Sequence, residues 1–124
     1  MWDWLVWLYI INATLLINHE IDSAYWKEWE LFRLPGGADL FVALHLPLVL
    51  VILYGLLLVF QKATAGIVLS LALAAGGLGA FFLHIYFLRQ GRPEFRTALS
   101  LFLLIATLVV SVIQAAVALY ALAA

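Results

Sequence analysis

Residues 40–60 read LFVALHLPLVLVILYGLLLVF, a run without one Asp, Glu, Lys or Arg, bounded by Asp39 on one side and Gln61-Lys62 on the other. A helix rises about 1.5 Å per residue and bilayer hydrocarbon is about 30 Å thick, so about 20 apolar residues are needed to cross it. This run meets that length, and three others flank it at about residues 4–24, 66–88 and 97–122. The chain of 124 residues is 68% hydrophobic and 10% charged, with a mean hydropathy of +1.15. Soluble domains are roughly half apolar and about a quarter charged. A chain this short could not hide so much apolar surface from water, whereas lipid tails solvate it.

The expectation is an all-α polytopic membrane protein, one domain over residues 1–124, folded as an antiparallel bundle of four transmembrane helices. Pro47 should kink the second helix, because it removes a donor and clashes with the preceding turn. Asp39 is expected to cap that helix and Thr97 the fourth. The first helix is expected to continue as an amphipathic extension through Tyr25-Trp26-Lys27-Glu28-Trp29-Glu30-Leu31-Phe32, stopping before Pro35-Gly36-Gly37. In the third, Ala72, Gly76 and Ala80 recur every four residues, the small-residue spacing that lets membrane helices approach closely.

Composition also excludes. With no cysteine, disulfides, thiolate ligands and thiol redox relays are absent, so a metal would be held by nitrogen and oxygen. A net charge of -1 with no basic cluster argues against nucleic acid as a partner. Met1-Trp2-Asp3-Trp4 carries no positive n-region or Ala-x-Ala site, so the first apolar run reads as a retained span rather than a signal peptide. Lys27, Arg33, Arg89, Arg92 and Arg96 fall on one side of the membrane and Lys62 alone on the other. The positive-inside rule then predicts an inner (plasma) membrane protein with loops one and three cytoplasmic and both termini non-cytoplasmic.

The three histidines are the candidate chemistry. His19 lies six residues before Tyr25, His45 six after Asp39 and His84 five before Arg89, so three helices each bring one imidazole to a depth of roughly 8 to 10 Å at 1.5 Å per residue. Ionisable groups at that depth are costly and normally face the bundle interior. Three imidazoles plus an oxygen match a catalytic zinc set with an open position. His19, His45, His84 and Asp22 are therefore the expected metal ligands, with Glu20 or Asp22 as general base or supporting carboxylate. Asp22 shares a helical face with His19, while Glu20 points about 100° away. Deeper in the membrane, Asn12 and Gln114 fall at similar levels and are expected to hydrogen-bond, within a seam of Ser100, Thr107 and Ser111 on the fourth helix.

His19-Glu20-Ile21-Asp22-Ser23-Ala24, Glu28-Trp29-Glu30-Leu31-Phe32, Leu44-His45-Leu46-Pro47, Leu83-His84 and Phe95-Arg96-Thr97-Ala98-Leu99-Ser100 together resemble an uncharacterised family of small four-helix bacterial membrane proteins, a domain of unknown function. The resemblance spans residues 19–100 and implies that His19, Glu20, Asp22, Glu28, Trp29, His45 and His84 are its signature positions. A looser similarity is to membrane proteins with a His-x-x-Glu-Glu motif, where Asp22 and Ser23 stand in place of the two glutamates. The leading expectation is a site for a zinc-like divalent ion, hydrolysing a lipid-like substrate if it is catalytic. Haem held by two of the histidines is an alternative, as is a non-catalytic accessory subunit, homo-oligomer or member of a larger membrane complex.

Overall fold

The computed structural model describes residues 1–124, with α1 over Trp2–Tyr25, α2 over Glu28–Leu31, α3 over Gly37–Phe60, α4 over Thr64–Arg89 and α5 over Ala98–Ala123. The protein is all-helical, and α1, α3, α4 and α5 are each long and apolar enough to cross a membrane. Large apolar side chains such as Trp7, Leu46, Phe60 and Phe102 stand on the outside, as expected where lipid replaces water.

Around the bundle the helices run α1, α3, α4, α5, with α1 also touching α4 across the middle while α3 and α5 are held apart. That short α1–α4 diagonal is the feature that positions the site. Small residues bring α4 close to its two flanking helices: a Cβ on Gly77 of α4 would collide with the Ser111 hydroxyl of α5, and one on Gly66 with the α3 backbone at Leu58 and Val59. The close approaches thus fall on the Ser70, Gly77, His84 face of α4, every seventh residue, rather than on the Ala72, Gly76, Ala80 stripe. Ala72 and Gly76 are exposed, and Gly76 meets only Leu16 at ordinary contact distance.

Polar groups inside the membrane pair with one another. Asn12 Nδ2 donates to Gln114 Oε1 at 2.6 Å and to Ser111 Oγ at 3.0 Å, and Gln114 Nε2 donates to Ser70 Oγ at 2.7 Å. The expected bond between Asn12 and Gln114 is therefore present, within a network that joins α1, α4 and α5. Tyr9 crosses Gly55 to donate to the Ile52 carbonyl at 2.8 Å, joining α1 to α3.

Thr97 caps α5 as expected, accepting from Ser100 N at 3.1 Å. α3 begins earlier than expected, with Gly36 as its cap at φ 93°, so Asp39 sits within the first turn, where its charge still suits the helix dipole. A side chain at position 36 would meet Leu40 as well as backbone strain. Pro47 lies inside α3.

The largest departure is at the end of α1. The segment expected as a continuous amphipathic extension is broken at Trp26-Lys27, where Lys27 takes φ 52°, and it resumes as the single turn α2. Gly77→Val should destabilise the bundle by about 1–3 kcal/mol through overpacking against Ser111 and Thr107. Gly79→Ala, which meets no neighbour within 4 Å, should not; unfolding titrations in mixed detergent measure both.

Candidate metal centre

His19 on α1 and His84 on α4 meet across the α1–α4 diagonal, ring centroids 4.5 Å apart and edge to face, with exposures of 1% and 2%. The break at Lys27 brings in a third group. On an unbroken helix Glu28, nine residues after His19, would point about 180° away from it. The left-handed residue turns the chain back, and Glu28 Oε2 reaches to 3.8 Å from His84 Nε2. One donor atom from each of His19, Glu28 and His84 lies within 4.8 Å of the others.

The hydrogen bonds around these groups fix what they offer. His84 Nδ1 donates to the Ala80 carbonyl at 2.7 Å, so its proton sits there and the Nε2 lone pair faces the centre. Metal-binding histidines are oriented in this way. His19 Nδ1 and Nε2, His84 Nε2, Glu28 Oε2 and Ser23 Oγ are all buried with no hydrogen-bond partner. At 3.8 Å the Glu28–His84 contact is longer than a hydrogen bond. Burial works against ionisation of Glu28, but His84, Ser23 and His19 favour its charged form strongly enough to hold the carboxyl below the usual carboxylate range. The centre therefore holds two nitrogen donors and an anionic oxygen.

Aromatic rings and two loops close it from one membrane face. Phe95, 1% exposed and at φ 63°, places its ring 4.4 Å from His84 and 5.9 Å from His19, and Phe32 stands 6.2 Å from His84. The loop carrying Phe95 is tied to the end of α4 by Arg96, whose guanidinium donates to the carbonyls of Leu88 and Arg92. The Leu88 carbonyl, which also accepts from Gly91 N at 3.2 Å, thereby receives a second donor.

The three-histidine set does not meet as one group. His45 of α3 donates from Nδ1 to the Phe41 carbonyl at 2.6 Å, and its Nε2 lies 2.6 Å from Glu20 Oε2. His19 and Glu20 are consecutive and about 100° apart on α1, so His19 faces α4 while Glu20 faces α3 and engages His45. The common depth was read from distance to the loops, which carries no information about direction round the helix. Asp22 lies outside the cluster as well: its Oδ1 accepts from Trp26 Nε1 at 3.1 Å, which secures the chain where α1 ends. Glu28, a signature position of the resemblance but not an expected ligand, supplies the oxygen of the cluster, and Phe95, which falls within a resembling segment, was given no role.

Fold and site together define a polytopic four-helix membrane protein with a buried His-His-Glu group able to hold a metal ion. The chain belongs to a family of unknown function, DUF6713, whose model matches residues 5–121. No curated protein and no solved structure matches it.

The turn at Lys27 is what delivers Glu28. Lys27→Gly, which takes positive φ without strain, should be at least as stable as the parent protein. Lys27→Pro, whose ring forbids that φ, should lose about 1–3 kcal/mol, as read from thermal unfolding in detergent.

Proposed function

We propose that this is a metal-binding membrane protein in which His19, His84 and Glu28 hold a zinc-like divalent ion. The observation that supports this best is the convergence of buried, unpartnered donor atoms from three separate elements. Each buried polar group left unpaired costs about 1–3 kcal/mol, so His19 with both nitrogens free is expensive unless something binds it. Metal bonds of about 2.0–2.2 Å put two donors at most roughly 4 Å apart, so groups within 4.8 Å close on an ion through side-chain shifts alone.

Two histidines and one glutamate form a donor set used by catalytic zinc sites, which keep a fourth position for water or substrate. An ion there would lower the pKa of bound water and polarise a carbonyl. Metal-assisted hydrolysis of a lipid-like substrate is the reaction this donor set would suit. The Lys and Arg distribution supports placing the centre at the cytoplasmic face of the inner membrane, with both termini on the opposite side. The haem alternative finds less support, since rings already in edge contact leave no space for a macrocycle between them.

Protein purified in mild detergent should carry close to one metal ion per chain by elemental analysis. His84→Ala and Glu28→Gln should lose most of it, while His45→Ala should retain it. Folded protein without metal that takes up none on titration with zinc, cobalt or manganese would overturn the reading.

A further inference from the structure

A second feature lies on the other side of α1. Between α1 and α3 runs a groove of about 210 Å³ lined by ten residues, eight of them hydrophobic, among them Ile21, Val42, Leu48 and Val49. The two polar members are Glu20 and His45, each with 22% of its side chain exposed and joined at 2.6 Å. The groove lies along two membrane-spanning helices, and its lip residues Ile21, Val42 and Leu48 are exposed on the outer surface of the bundle, where acyl chains stand. It is therefore open sideways to lipid.

We infer that this groove binds a neutral single-chain lipid whose hydroxyl donates a hydrogen bond to the carboxyl group of the Glu20–His45 pair. The polar pair sets the head chemistry. Because His45 Nδ1 already donates to Phe41, one proton lies between His45 Nε2 and Glu20 Oε2. Wherever that proton rests, the pair has no net charge and still presents acceptor capacity on the carboxyl group. Such a pair complements a hydroxyl, which donates to the carboxyl oxygen, and having no net charge it offers a phosphate or carboxylate no counter-charge. The apolar walls set the tail. Ligand pockets for larger molecules run from about 300 to 1,000 Å³, so this smaller groove takes one chain rather than two. The groove shares α1 with the metal centre, where His19 precedes Glu20, but none of its lining residues is a proposed metal ligand, so metal content and lipid labelling report on the two proposals separately.

The test uses the full chain in nanodiscs and a monoacylglycerol bearing a photoactivatable diazirine on its acyl chain. Crosslinks should map to Val42, Leu48 and Val49 and be competed by unlabelled monoacylglycerol. Labelling should fall about tenfold in Glu20→Leu, which removes the accepting carboxyl, the equivalent of one hydrogen bond. It should also fall in Val49→Trp, which fills the groove, with Val42→Trp at the lip as the substitute where that variant does not fold. Metal content should be the same in all three. Labelling spread evenly over the outward residues Leu44 and Leu53 and unaffected by these substitutions would overturn the site. Equal competition by phosphatidylglycerol or a free fatty acid would overturn the neutral head.

Discussion

Consecutive residues on a helix point about 100° apart, and in this bundle that constraint falls on His19 and Glu20. In a layer poor in water, each polar side chain must find its partner in the protein. His19 therefore looks across the short diagonal to His84, while Glu20 looks sideways to His45. The two centres are separated by direction rather than depth, and the stiffness of α1 keeps them at a fixed offset.

The middle of the membrane shows how this chain treats polar groups whose role is packing. Asn12, Ser70, Ser111 and Gln114 are all buried and all hydrogen-bonded to one another across three helices. The loop-side layer differs. There His19, Ser23, Glu28 and His84 are buried with donor atoms unanswered, although the chain has hydroxyls and amides enough to answer them elsewhere. Thr107 is the one member of the lower seam left unpartnered, and it stands alone rather than in a converging set. Convergence, more than burial, separates the metal-centre residues from structural polarity.

Which parts of this arrangement could be read from sequence follows from what periodicity encodes. Hydropathy fixed the spans to within three residues, since a bilayer imposes a length; Thr97 and the Asn12–Gln114 bond followed from capping chemistry and matched depth. The level of the histidines was legible for the same reason. Their grouping was not, because it depends on which helices are neighbours and on α1 reaching α4 across the bundle. Glu28 was hidden by the helical rule itself: continuing α1 through Lys27 turns that carboxylate away from His19. Nothing at Trp26-Lys27 resembles the Gly or Asn that usually marks a left-handed turn, so the break carried no local signal.

The closed metal centre and the open groove have opposite physical requirements. An ion is retained by burial, low dielectric and few water paths, which Phe95 and Phe32 provide over His84. An amphiphile needs a lateral opening and a polar anchor near the interface, which the groove between α1 and α3 provides at Glu20 and His45. One helix supplies both by placing an imidazole and a carboxylate at adjacent positions. A four-helix chain of 124 residues has little interior volume, and using two faces of α1 gives it two environments where one cavity could serve only one.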